Sequence, residues 1–334
     1  MTVGIDATAV SRDGKGISRA MRGVAEALTR SGSEIVALVR PGVEVHAPIA
    51  VVRPRPAVMW EQVGLARAGR RFDAVLTPTE RLPVVGDGRF VVWLYETPSR
   101  RLAAASGLYQ HGSDLVSRAL WKRSLRRAAA VVAGSNATAR ELEERLPGLR
   151  VRVIYPGLDP EFSPGRGPGG EPYVFHLASA DPRDNTETVL RAIEIARKRI
   201  PIRLVVGGAA SRTDADAEYT GRVSDEELVR LYRGAAAYVD ASLYEGFGYQ
   251  ALEAMACGAP FVGSNATSIP EVVGDAGLLA DPRDPEALAA ALVRVLEEPG
   301  LADELRRRGL ERAREFTWES TADAFAEVFE EVRR

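Results

Sequence analysis

The sequence predicts an α/β protein made of two doubly wound domains. Three observations predict it. Short apolar or β-branched runs alternate with amphipathic stretches of helix length, a Pro/Gly-dense stretch divides two rounds of that alternation, and 334 residues with 46% hydrophobic content exceed the usual size of one domain.

In the first round the strand candidates are Val3–Ile5, Glu34–Val39, Ala74–Leu76, Phe90–Leu94, Ala130–Ala133 and Val151–Ile154, each followed by a turn or a helix. Residues Asp159–Gly170 carry three prolines and four glycines, a composition that holds neither a helix nor a central strand, so a linker is placed there. The second round reads as strand Tyr173–Leu177, helix Glu187–Arg199, strand Arg203–Val206, helix Asp225–Gly234, strand Ala237–Asp240 and helix Gln250–Cys257. A last helix is expected over Trp318–Arg334, where Ala322, Phe325, Val328 and Phe329 share one face; periodicity does not set where it docks. Open α/β sheets bind ligands beyond the carboxyl ends of their strands, so two such domains facing one another are expected to hold a site in the cleft between them.

Composition narrows the function classes. No stretch approaches the roughly 18 uninterrupted apolar residues of a membrane span, and Met1 leads directly into Val3–Asp6 with no cleavable leader pattern, so a cytoplasmic protein is expected. Cys257 is the one cysteine and lies in an apolar run, which favours a packed thiol. Net charge is −2, yet residues 1–161 carry 24 Lys+Arg against 16 Asp+Glu and the remainder 20 against 30. A basic first half reads either as contact with something anionic, such as a membrane surface, a phosphorylated acceptor or a donor's phosphates, or as an arginine-rich solvated surface. The segment Arg118, Trp121, Lys122, Arg123, Arg126, Arg127 is open to the same pair of readings. No nucleic-acid partner is expected.

The most informative segment runs from Ser242 to Pro260. It places Glu245 in a Gly-rich turn after a strand and Glu253 eight residues later, on the helix that the turn opens. Glycines permit close backbone approach, a helix start suits a diphosphate, and carboxylates accept hydrogen bonds from hydroxyl pairs. On the residues alone, an ordinary capped helix with exposed glutamates stays open as the alternative. Asp214 and Asp216 resemble a metal pair but sit in a polar connection without a third fixed ligand, and His46, His111 and His176 lack partners at metal-ligand spacing. No metal site and no cofactor are expected.

The Glu245-x7-Glu253 segment resembles the signature of the retaining glycosyltransferases of family 4, which have the GT-B fold of two Rossmann-like domains facing across a cleft. The likeness extends through Ser264–Gly274, Asp281–Leu288 and Thr220–Leu228, and in the first half through Gly16–Arg19, Val131–Thr138 and Val153–Pro160. It implies a hexose moved from a nucleotide sugar, UDP- or GDP-linked, to an acceptor the sequence does not name, anionic or lipid-linked if the basic half receives it. It further implies that Glu245 contacts the transferred sugar, that Glu253 holds the ribose, that Gly246, Phe247 and Gly248 meet sugar and phosphates through their amides, and that Val223 lies near the base. The last helix, about 316–334, would return to the first domain, giving an acceptor-side domain of 1–160 plus that helix and a donor domain of 161–315.

Three positions depart from the family pattern. Tyr95-Glu96 stands where many relatives have His-Asp; a tyrosine of ordinary pKa about 10 donates a hydrogen bond but carries protons poorly at neutral pH. Tyr95 is therefore expected to hold a sugar hydroxyl. Ser179 and Asp184 replace an arginine and a lysine that relatives place on the diphosphate, which leaves Arg183 as the first candidate for that charge, with Lys15, Arg12 and Arg19 behind it. Gly16-Ile17-Ser18 replaces a common Gly-Ile-Gly, and Gly16 remains a candidate donor-binding residue. An alternative to catalysis follows from the same departures: a relative that binds a nucleotide sugar or glycan with weak turnover or none.

Overall fold

The computed structural model describes residues 1–11, 16–52, 59–97, 121–208 and 216–333. The chain divides into two compact units, Met1–Gly157 with Phe316–Arg334, and Leu158–Glu315.

The first unit holds a seven-stranded parallel sheet of β1 (Val3–Asp6), β2 (Ile35–Val39), β3 (Ile49–Val51), β4 (Ala74–Thr77), β5 (Phe90–Leu94), β6 (Ala130–Ala133) and β7 (Val151–Val153), in the order β3-β2-β1-β4-β5-β6-β7. The order reverses between β1 and β4. Sheets covered by helices on both faces read as continuous apolar runs, and β4 and β5 are buried throughout. Helix Ile17–Arg30 opens at Gly16, whose φ of 57° with ψ −113° favours a residue without Cβ.

The final helix, Trp318–Arg333, belongs to this unit and buries Trp318, Ala322, Phe325, Val328 and Phe329. Phe325 meets Trp93 of β5 edge-on at 4.8 Å. Two glycines make room for Trp318: a Cβ on Gly23 would lie 2.3 Å from its ring, and one on Gly157 would lie 2.3 Å from its backbone nitrogen.

The basic segment after residue 120 differs from one of its two expected readings. Trp121 is 5% exposed and packs in the core with Leu125, while Arg127 donates to the carbonyls of Pro83, Val84 and Gly86. The aromatic ring that would anchor a lipid contact is spent on the interior; Arg118 lies outside the described residues.

The second unit holds a six-stranded parallel sheet of β8 (Tyr173–Ala178), β9 (Leu204–Gly208), β10 (Ala217–Gly221), β11 (Ala235–Asp240), β12 (Phe261–Ser264) and β13 (Gly277–Ala280), ordered β10-β9-β8-β11-β12-β13 and reversing between β8 and β11. Two of its helices, Asp225–Gly234 and Pro285–Glu297, begin with side-chain caps that satisfy first-turn amides: Ser224 accepts from Glu227 N and Asp284 from Ala287 N, with Pro285 at the first helical position. Helices Thr186–Arg197 and Pro285–Glu297 bury Val189, Ile193, Leu288 and Leu292 against Val174, Val206 and Val239 of the sheet. The Pro/Gly stretch lies on this unit, where Arg233 donates to Ser163 O at 2.7 Å.

Candidate functional site

In a doubly wound sheet the ligand edge is the carboxyl end of the strands at the reversal, here β8 and β11 of the second unit. Asp240 ends β11, 1% exposed, and its Oδ1 accepts from Ser242 N at 2.7 Å and Ser242 Oγ at 2.6 Å. Burial pushes its carboxyl up, against the lowering effect of the Ser242 bonds. Oδ2 is buried and accepts no hydrogen bond.

Beside it on β8, His176 bridges Val239 O through Nδ1 and Thr186 Oγ through Nε2, each at 3.0 Å. Burial pushes His176 down despite the Asp240 charge, so the imidazole is neutral at pH 7. A carbonyl only accepts, which puts the proton on Nδ1 and leaves Nε2 to accept from Thr186. His176 thus ties β8, β11 and the start of helix Thr186–Arg197 together.

Glu245 follows Asp240 in the loop that leaves β11. Its backbone is fixed from both sides: the amide donates to Thr267 Oγ at 3.0 Å and the carbonyl accepts from Ser268 Oγ at 2.8 Å. Thr267 adopts φ 53° to reach it, an uncommon conformation for a β-branched residue. The Glu245 carboxyl is pushed up to about 8, by burial first and then by the charges of Asp240 and Asp184, with Arg183 and Ser242 acting against them.

Helix Tyr249–Ala256 begins at Gly248, where φ is 101° and a Cβ would meet Ile269 Cδ1 at 2.9 Å. Only glycine fits that turn. Phe247 is 2% exposed and its ring packs against Tyr249, which leaves its backbone as the part open to a ligand. Glu253 is buried on the same helix and accepts from the Tyr232 hydroxyl at 3.3 Å. Burial pushes the Tyr232 phenol well up, which keeps it a donor. Val223 is also buried, immediately before the capping Ser224.

Arg183 lies in the short turn Pro182–Asp184 after β8 and joins the Glu245 loop: its carbonyl accepts from Leu243 N at 2.8 Å and its guanidinium lies 5.9 Å from the Tyr244 ring centroid. The next residue, Asn185, has φ 53° and donates to Ala241 O and Pro282 O, fixing this turn to the ends of β11 and β13. The fold therefore brings together Arg183, Glu245, the Gly246–Gly248 turn and the helix that bears Glu253. Asp240, Asp184 and Thr267 join them; sequence reasoning gave Asp240 and Thr267 no role, and the strand-terminal place of Asp240 was the one available signal.

The two remaining candidates belong to the other unit. Tyr95 follows β5, is buried, and packs its ring 5.0 Å from Trp93; its carbonyl accepts from Thr138 Oγ at 2.8 Å. Gly16 opens the helix after β1. Arg12, Lys15, His111 and Asp214 lie outside the described residues. Among the described residues no group of three or more His, Cys, Asp or Glu is placed to hold a metal ion.

Comparison with known proteins adds a family. The family model described as Glycosyltransferase Family 4 matches residues 14–162, and the one described as Glycosyl transferases group 1 matches residues 171–298. The chain belongs to glycosyltransferase family 4. Among family relatives, the O-antigen chain mannosyltransferase B of Escherichia coli is 39% identical over 163 residues, covering 44% of this chain and 43% of that protein. The MMP alpha-(1->4)-mannosyltransferase of Mycolicibacterium hassiacum is 31% identical over 233 residues, covering 63% and 56%. The chain thus spans about half the length of these curated relatives. The GT-B fold is shared with sucrose-phosphate synthase from Thermosynechococcus elongatus, at a TM-score of 0.79 and 21% identity over 98% of both chains. It is shared too with Anabaena Alr3699/HepE in complex with UDP-glucose, at 0.72 and 16% over 98% of both. These likenesses are of fold.

Proposed function

We propose that this family 4 chain is a retaining hexosyltransferase that takes its sugar from a UDP- or GDP-linked donor without a metal ion. The observation that carries the proposal is Glu245, held by Thr267 and Ser268 at the mouth of a glycine turn that opens a helix. A carboxylate there accepts hydrogen bonds from a pair of sugar hydroxyls, and the turn and helix start offer partial positive charge to a departing diphosphate. Arg183 adds a full charge to that group, Glu253 takes the ribose and Val223 the base. In the first unit, Tyr95 would donate to a sugar hydroxyl and Gly16 would allow close approach to the helix that it opens.

The names of the two mannosyltransferases favour mannose as the transferred sugar. The acceptor enters from the basic first half, where positive charge suits an anionic or lipid-linked molecule. In the described residues no helix is long and apolar enough to cross a membrane.

A thermal-shift panel of UDP-, GDP-, ADP- and dTDP-sugars tests the donor, followed by donor hydrolysis on each hit. Stabilisation by a UDP- or GDP-hexose with slow release of free sugar is expected. A panel without any stabilising nucleotide sugar removes the proposal. Stabilisation without turnover, even with candidate acceptors, favours the second reading, a binding relative, which the negative charge of Asp184 beside Glu245 supports.

A further inference from the structure

The turn after β8 is closed on itself by two carboxylates. Asp184 Oδ2 accepts from Ser179 N at 2.6 Å, and Asp181 N donates to Ser179 Oγ at 3.1 Å. Asp181 then accepts three times from Arg183: from its amide at 2.9 Å through Oδ1, and from Nε at 2.9 Å and Nη2 at 2.7 Å through Oδ2. These bonds hold Asp181 below its ordinary pKa, so it is an anion.

The donors engaged in this way are those that the turn has to offer a phosphate. Ser179 N is a backbone amide at the end of β8, and Arg183 carries the one cationic side chain of the segment from Ser179 to Asn185. A group that bonds a carboxylate oxygen will equally bond a phosphate oxygen. The frame around them is fixed by Asn185 and by Leu243, so the aspartates are not held loosely. Nor is the Asp184 charge remote from the reacting end, since it acts on Glu245, Asp240 and His176 alike.

We propose that Asp184 and Asp181 are counter-anions built into the donor site, occupying the Ser179 amide and the Arg183 guanidinium until a nucleoside diphosphate competes for them. The proposal rests on the nucleotide-sugar function above. It makes donor affinity a balance between two anions for the same donors: an incoming diphosphate either displaces the carboxylates or binds against their charge. The aspartates also reclaim those donors when the diphosphate product departs.

The test is calorimetric titration of UDP and of GDP into the full chain and into Asp184→Asn and Asp181→Asn, at about 50 and 300 mM salt. Asparagine keeps the size of the side chain and an oxygen for the same amide, so each variant removes charge with little change of shape. Each is expected to bind its nucleotide at least tenfold more tightly at low salt, with a smaller gain at high salt as screening increases. A loop that is merely structural predicts the reverse, weaker binding with no such salt dependence. Because the two variants act at separate carboxylates, misfolding of one leaves the other to decide, melting temperature being the check on both. Unchanged or weaker binding in a variant that melts like the parent overturns the counter-anions while the parent's own binding keeps the nucleotide reading. Failure of parent and variants alike to bind either nucleotide removes both.

Discussion

Replacing Gly23 by alanine should destabilise the chain, and removing the Trp318 indole should turn that same replacement into a stabilising one. A Cβ at Gly23 would lie 2.3 Å from two ring atoms of Trp318 and 2.6 Å from a third, more than 1 Å inside contact distance. Overpacking of this kind costs about 1–3 kcal/mol, whereas alanine for glycine within helix Ile17–Arg30 returns up to about 1 kcal/mol. With the full helix return subtracted, the net for Gly23→Ala is a loss of up to about 2 kcal/mol. Trp318→Ala alone costs about 3–5 kcal/mol through the cavity it leaves. With the indole gone the helix propensity acts unopposed, and the double variant should exceed Trp318→Ala by up to about 1 kcal/mol. Gly157 supplies the control. A Cβ there meets Trp318 at its backbone nitrogen and Cα, atoms that Trp318→Ala retains, so Gly157→Ala should destabilise in both backgrounds. Urea unfolding followed by far-UV circular dichroism, run on all six chains, gives the coupling. Equal losses from Gly23→Ala with and without the indole would refute the seating of Trp318 on that glycine.

Three further expectations concern ionisable groups. Glu245→Gln should lower transfer at least about 100-fold with the melting temperature unchanged; in the parent chain, transfer should rise as pH passes through about 8, where the Glu245 carboxyl ionises, and Asp184→Asn should move that rise to lower pH. Glu61 is pushed up to about 7 by burial, against the opposing charge of Arg81, so the folded chain binds its proton more tightly than the unfolded chain with its ordinary 4.5. That contribution is complete below about pH 4.5 and is lost as pH rises through 7, about 3 kcal/mol in all, and Glu61→Gln should flatten this part of the stability curve measured by urea unfolding. Burial pushes the Cys257 thiol up to about 12, so it should resist a water-soluble disulfide reagent at pH 8 until denaturant is added; rapid labelling of the folded chain would contradict its packing.

How much of this was legible depends on where burial falls. Strands β1, β4, β5, β8 and β11 read directly because both of their faces are covered and their residues are apolar in sequence. Strands β3 and β10 did not. Each closes one edge of its sheet, three and five residues long, and none of their residues is fully buried. The apolar run of β12 is broken by Gly263, whose missing Cβ accommodates Asp240 O, a reason that exists only after folding. At the site, Glu245 and Glu253 stood out through their spacing around a glycine turn. The grip of Thr267 on Glu245 spans 22 residues of sequence, and the closure of Ser179 by Asp184 requires the turn to exist first; neither leaves a trace in composition or period.

The arrangement of the first unit also bears on its synthesis. Residues 1–157 leave the ribosome long before Phe316–Arg334, the segment that covers Trp93 and Gly23. Residues 158–315 form one uninterrupted body and can condense while translation continues. The first unit therefore receives its closing helix only after the whole of the second has been made.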